Sequence, residues 1–254
     1  MDCESIMVIP WRHLSHVRGA KDWQATKITP YGDGWRACRD PNEVFPGSRW
    51  YVDLATETLV PMLELYAEGD LLDLGCGKVP YYGVYGPRTS SVVCLDWPSS
   101  LHNGPYVDVF ADLTRELPFR SLSFDTVLLA DVLEHVPDPS RVLSEAARLL
   151  RPDGNLLVSV PFFYWLHEEP HDYCRYTEFR LRTLCLEAGF DEPRIVSFGG
   201  EKAVVVDLLS RMLSAGRWKP RVRDTMIRWA RSRPYLGDSF RYPLGYVLWA
   251  RRSD

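Results

Sequence analysis

Two rhythms of apolar residues divide this chain. Tyr51, Ala55, Leu59, Met62 and Tyr66 recur at spacings of 4, 4, 3 and 4, one face of a helix. Ser48 stands where an N-cap belongs, Pro61 predicts a kink or a division, and Gly69 closes the pattern. From residue 70 short apolar runs alternate with helical ones. The runs at 70–74, 91–96, 106–109, 124–130, 155–161, 194–199 and 244–250 predict strands. Asp138 and Pro139 open a helix as N-cap and first-turn proline, carried by Val142, Leu143, Ala146, Leu149 and Leu150 and stopped by Pro152 and Gly154. Thr177 opens another, with Leu181, Leu184, Cys185 and Ala188 on one face and Gly189 as its stop. Near-continuous apolar strands interleaved with helices predict an α/β fold, a mostly parallel sheet with helices on both faces.

Residues 1–48 lack a clean period and mix Trp, Tyr, Gly, Pro and Arg. They predict an irregular N-terminal arm with one short helix, a lid or cover over the domain at 49–254. An insertion at 201–243 separates the last two strands. Within it Val204, Leu208 and Met212 share a helical face, as do Val222, Met226 and Trp229. Packing against the core is the simplest use of both faces.

Charge changes this picture in one place. The 254 residues carry a formal −4, but 211–233 holds eight Lys/Arg and one acid, so that segment is +7 and the rest −11. A basic amphipathic stretch over 203–233 offers contact with a membrane surface, against the alternative of a solvated face. Nucleic acid is not expected on an acidic body without an aromatic-basic groove. No apolar run reaches 18 residues and the N-terminus lacks a basic region before an apolar core, so neither a span nor a signal peptide is expected. The six cysteines form no C-x-x-C pair, which fits reduced thiols and a cytoplasmic location. A homodimer stays open.

Candidate chemistry gathers at strand ends. LLDLGCGK, residues 71–78, reads as a buried strand running into a turn where Gly75 and Gly77 permit positive φ and close approach of a ligand. Asp96 ends the next strand, 23 residues after Asp73, where an acid can accept from both hydroxyls of a ribose. Asp112 follows the third strand, and Ala130 and Asp131 end the fourth. A dinucleotide site would want a third glycine after Gly77; Lys78, Val79 and Pro80 follow instead, so a pyrophosphate cradle is disfavoured.

LLDLGCGK, VVCLDW, ADLTRELPFRSLSFDTVLLADVLEHVPDP, LSEAARLLRPDGNLLVSVP and LCLEAGF together resemble the successive motifs of class I S-adenosylmethionine-dependent methyltransferases, the ubiquinone-biosynthesis-type small-molecule group in particular. The resemblance covers roughly 70–200. It implies a Rossmann-like sheet of seven strands in the order 3-2-1-4-5-7-6, counted from 70–74, with the seventh antiparallel. It implies S-adenosyl-L-methionine as cofactor. Asp73, Leu74, Gly75, Cys76 and Gly77 would serve its methionine part, with Asp73 helping to hold the amino group through water. Asp96 would take the ribose hydroxyls, Trp97 would flank the adenine, and Asp112 and Leu113 would meet its amino group and ring. Ala130 and Asp131 would line the methionine side. Pro80, Tyr81 and Tyr82 depart from the pattern, where a glycine or small residue is commoner.

The resemblance also implies an acceptor held in line with the methyl group, and a hydroxyl acceptor benefits from a base. His135, in ADVLEHV, and His167, in VPFFYWLHEEPHDYCRYT, are the candidate bases. In the second string Arg175 would pair with Asp172 and lock the loop. No metal site is expected, because the histidine and carboxylate spacing matches no standard set. The expected activity is O-methylation of a small molecule such as a secondary metabolite or sugar. N-methylation, or a cofactor-binding module without turnover, is the alternative.

Overall fold

The structure is a computed structural model that describes residues 23–102, 104–214, 220–231 and 240–253. The first 22 residues, the 215–219 and 232–239 parts of the insertion, and Cys3 lie outside them. The strands are β1 (Ile28–Tyr31), β2 (Gly34–Ala37), β3 (Asp70–Leu74), β4 (Ser91–Asp96), β5 (Val109–Phe110), β6 (Phe124–Ala130), β7 (Leu150–Pro161), β8 (Arg194–Gly199) and β9 (Pro243–Arg251). The helices are α1 (Arg49–Tyr66), α2 (Tyr82–Tyr85), α3 (Pro139–Leu149), α4 (Glu178–Glu187), α5 (Glu201–Ser214) and α6 (Pro220–Arg231).

β3 to β9 form one sheet in the order β5-β4-β3-β6-β7-β9-β8. Counted from β3, that is the 3-2-1-4-5-7-6 order. β9 runs antiparallel to β7 and β8, and the other pairs are parallel. Period-two alternation divides the buried strand residues between two cores. Leu72, Val93, Val127 and Val158 face α3 and α4, whereas Leu71, Val92, Leu128 and Leu157 face α1, α5 and the β1–β2 hairpin. Both faces are therefore covered, as a parallel sheet requires.

The caps read from sequence divide. The Asp138 carboxylate accepts from the Ser140 and Arg141 amides, and the Thr177 hydroxyl accepts from Arg180 N. Ser48 does not cap α1: a 3₁₀ turn at Pro46–Ser48 runs into the helix, and Ser48 Oγ instead accepts from the Tyr164 hydroxyl at 3.0 Å. Nor does Pro61 divide α1, which runs unbroken through 18 residues. One missing N–H does not end a helix whose Leu59, Met62 and Leu63 are buried on both sides of it.

Three other expectations change. The third core strand is Val109–Phe110 rather than 106–109, because the Asp108 side chain, not a backbone carbonyl, accepts the Cys94 amide. The described part of the arm forms an antiparallel hairpin, turned at Gly32 and Asp33 and anchored by the buried Asp53 carboxylate accepting from Ala37 N at 2.7 Å. The outer faces of the insertion helices are not core: Leu208, Met212, Val222 and Trp229 are all more than half exposed. The five described cysteines are free thiols. No helix among the described residues is long and apolar enough to cross a membrane.

Candidate active site

The strand-end loops of β3, β4, β5, β6 and β7 enclose one cavity of about 840 Å³. It is the crevice that a doubly wound sheet leaves beyond the carboxyl ends of its strands. Gly75, Cys76, Gly77, Asp96, Trp97, Asp112, Leu113, Ala130, Asp131, His135 and His167 all line it.

Asp73 and Leu74 do not. Alternation along β3 turns Asp73 toward α2, where the buried Tyr85 hydroxyl donates to Oδ2 at 2.7 Å. Burial pushes the Asp73 carboxyl up to about 7, against the lowering effect of Tyr85. The carboxyl is turned into the core and does not line the cavity, so any part it plays at a cofactor amino group is indirect, beneath the turn it supports. Leu74 is fully buried on the opposite face.

The two glycines do different work. Gly75 has φ +71, and a Cβ there would come within 2.6 Å of Val132 Cγ2. Its missing side chain makes room for the β6 loop rather than for a ligand. Gly77 has φ +52, a Cβ there would meet His102 Cβ at 3.4 Å, an ordinary contact, and its amide donates to Asp96 Oδ2 at 2.7 Å. Trp97 N donates to Asp96 Oδ1 at 2.6 Å. Burial raises the Asp96 pKa while these two amides oppose the rise. The residues after Gly77 make the turn from aromatics: Tyr81 and Tyr85 are buried beneath it, and Val79 takes φ +52, a strained value for a β-branched residue.

At the β6 end Asp131 also has positive φ, +54. Its amide and Oδ1 both meet Ser159 of β7, and its Oδ2 accepts from Lys27 of the arm at 3.2 Å. Burial acts to lower the Lys27 pKa, but Asp131 and neighbouring tyrosines more than offset it and hold the amine charged. A second tie from the arm joins Glu43 to Lys78 at 3.0 Å. The described part of the arm thus lies across the cavity.

The two candidate bases converge. His135 Nδ1 lies 2.7 Å from the His171 carbonyl and His167 Nδ1 lies 3.2 Å from the Trp165 carbonyl. A carbonyl only accepts, so both Nδ1 atoms carry hydrogen and both Nε2 atoms are left as acceptors in the neutral rings. The Nε2 atoms sit 3.6 Å and 3.9 Å from Glu134 Oε1. Burial, then the proximity of His135, lowers the His167 pKa. Asp172 orients His167 by accepting from its amide, and Arg175 pairs with Asp172 as expected.

Glu134 was not singled out by sequence reasoning. It is fully buried, neither carboxyl oxygen has a hydrogen-bond partner, and burial followed by Asp131 raises its pKa well above the ordinary range. An acid beside His135 in an apolar string was the available signal. Tyr51 was seen only as part of the apolar face of α1, yet its buried hydroxyl is also without a partner and lines the same end of the cavity. Lys27 had no signal, since nothing in sequence joins it to Asp131. Glu134, His135 and His167 place donor atoms within 4.8 Å of one another, a spacing that suits a divalent cation as well as a shared proton. Their 33-residue spread hid this from spacing rules.

Residues 72–158 match the family model described as a methyltransferase domain. That segment contains the glycine turn, Asp96, Asp112 and the β6 end. Residues 72–158 thus carry a methyltransferase domain. A ubiquinone biosynthesis O-methyltransferase of Saccharophagus degradans is 30% identical over 117 residues, 42% of this chain and 48% of that protein. The chain thus spans about half the length of the curated relatives it matches. An S-adenosylmethionine-dependent methyltransferase from Mesorhizobium loti has the same fold, with TM-score 0.53 at 18% identity over 78% of this chain and 98% of that one. A [4+2]-cyclase shares it too, with TM-score 0.50 at 20% identity over 80% and 82%. At these identities the solved structures establish the fold alone. The methyltransferase domain fits its cofactor on structural grounds. The cavity is large enough for a nucleoside and an acceptor together, and Gly77 and the Asp96 carboxylate line it.

Proposed function

We propose that this protein is an O-methyltransferase acting on a small-molecule hydroxyl acceptor, with His167 as general base and His135 beside it. The supporting observation is the pair of Nε2 acceptors facing Glu134 at the acceptor end of the cavity that also holds Gly77 and Asp96. When bound, S-adenosylmethionine supplies an activated methyl group on sulfur. Asp96 receives the ribose hydroxyls, Trp97 flanks the adenine, and Asp112 and Leu113 meet its edge. The Gly75–Gly77 turn, Ala130 and Asp131 border the methionine part. Tyr51, Tyr164 and Phe45 give the acceptor an apolar, water-poor wall. His167, neutral because burial lowers its pKa, takes the hydroxyl proton at Nε2 while the oxygen is held in line with the methyl group. Lys27 and Glu43 draw the arm over the cavity as a lid.

Calorimetric titration with S-adenosylmethionine, S-adenosylhomocysteine and NAD tests the cofactor. Labelled-methyl transfer to a panel of phenols, sugars and amines tests the acceptor atom. Binding of the first two ligands and methyl ether products are expected. Binding of NAD alone would refute the assignment, and N-methylated products would replace its acceptor. A second reading draws on the ligand-like spacing of Glu134, His135 and His167: a divalent cation held there would lower the pKa of the acceptor hydroxyl in place of a base. Turnover abolished by chelation and restored by metal favours it.

A further inference from the structure

α5 carries apolar residues on its outer stripe as well as its inner one. Its inner stripe buries Ala203 and Val206 together with Asp207, Ser210 and most of Arg211, with Arg211 Nη2 lying 2.5 Å from Asp207 Oδ2. Its outer stripe is Val205, Leu208, Leu209 and Met212, each between 40% and 70% exposed, at the i, i+3, i+4, i+7 spacing of a packed face. An ordinary surface helix keeps its outer stripe polar. α6 packs against α5 and adds Val222 and Trp229, both more than half exposed, with Arg221 and Arg228 exposed alongside. A contiguous apolar surface edged by cations marks an interaction site.

We propose that this protein docks on an anionic lipid bilayer through the outer faces of α5 and α6. Three observations select the occupant. Apolar side chains with a tryptophan and flanking arginines are the composition of a helix lying in the headgroup region. The segment 211–233 carries +7 by sequence against −11 on the remainder, and Arg221 and Arg228 are its exposed cations among the described residues, so an anionic surface is the charge-complementary partner of this segment. A symmetric pairing of two copies through the same face would set the exposed Arg221 and Arg228 of one copy against those of the other.

The docked face adjoins the cavity mouth. The Arg211 guanidinium lies 3.9 Å from the Tyr164 ring centroid and 5.1 Å from that of Trp165. Trp165 and Leu166 are themselves 48% and 67% exposed. Docking through α5 therefore brings the loop that borders the acceptor end to the bilayer. An acceptor carrying an apolar tail would enter from the membrane; only that extension rests on the methyl-transfer reading.

Co-sedimentation of the full chain with phosphatidylcholine vesicles, with and without phosphatidylglycerol, tests the docking. Each exposed cation near an anionic leaflet contributes about fivefold in affinity. The Arg221→Gln/Arg228→Gln and Leu208→Ser/Met212→Ser variants are each expected to lose about tenfold or more in binding to the anionic vesicles. Neutral vesicles should bind weakly. The four positions are exposed, so thermal melting and S-adenosylhomocysteine affinity should match the unaltered chain. Those two readouts also separate failure of docking from failure of the cofactor assignment. No pelleting with anionic vesicles, or pelleting of both variants equal to that of the unaltered chain, overturns the proposal. So does a dimer in sedimentation velocity that Leu208→Ser/Met212→Ser dissociates while vesicle binding is absent, because the occupant is then a second copy.

Discussion

Replacing Tyr85 by Phe isolates the polar contact beneath the glycine turn. The Tyr85 hydroxyl and the Asp73 carboxylate are 2.7 Å apart and both are buried. Burial raises the Asp73 pKa from 3.8 to about 7, with Tyr85 opposing and Asp96 adding to the rise. A folded-state pKa above the unfolded one means stability that is complete below the unfolded value. It is lost as pH climbs through the folded value. A rise of that size corresponds to roughly 4 kcal/mol lost between about pH 4 and pH 7. Without the hydroxyl the folded pKa moves higher still, so the decline continues beyond pH 7 where the unaltered chain has levelled. Near pH 5 the buried carboxyl is protonated in both proteins, and the variant should lose about 1 kcal/mol, the worth of a neutral hydrogen bond. Near pH 8.5 the lost bond is one to a carboxylate, and the loss should reach about 2–3 kcal/mol. Urea unfolding at the two pH values measures both. A loss equal at both values would refute the assignment of Asp73 as a buried acid sustained by Tyr85.

Asp96→Asn keeps the side chain's size but weakens its acceptance from Gly77 N and Trp97 N, and S-adenosylhomocysteine affinity measured by calorimetry should fall about tenfold, the worth of a charge-assisted bond. His167→Ala should leave that affinity in place while lowering turnover by about 10²–10⁴-fold. In the unaltered protein the rate should reach its plateau below the pH at which an ordinary histidine deprotonates, because burial lowers the His167 pKa; a plateau displaced to higher pH would contradict that role. Asp138→Ala removes the acceptor for two α3 amides and should cost about 1 kcal/mol in denaturant unfolding, without altering cofactor binding.

The sheet was legible because burial on both faces leaves an uninterrupted apolar signal. The bounds of β3, β4, β6 and β8 match those expected, and so does the strand order. Short elements were not legible. β5 has two paired residues, and its start depends on the Asp108 side chain taking a backbone position. The β1–β2 hairpin had a Gly-Asp turn as its signal, but Trp35 and Arg36 blurred the alternation around it. In the cavity, residues placed by strand ends were found from sequence, since alternation and loop position fix them. Asp73 shows the limit of that reasoning: it lies one pleat before the turn, and which face it served depended on Tyr85, 12 residues away. Glu134, Tyr51 and Lys27 reach the cavity only through tertiary packing, which no local pattern encodes.

The contact between Gly75 and Val132 bears on how inactive controls should be chosen. A side chain at 75 would first strike Val132, two residues from Glu134 and three from His135. Gly75→Ala would therefore damage both halves of the cavity at once, and its inactivity would not tell a lost cofactor from a misplaced base. The glycine most readily taken for a cofactor residue acts as a hinge pin between the β3 and β6 loops. Asp96 is bonded to the Gly77 and Trp97 amides rather than to the β6 loop, so its variants give the cleaner blank.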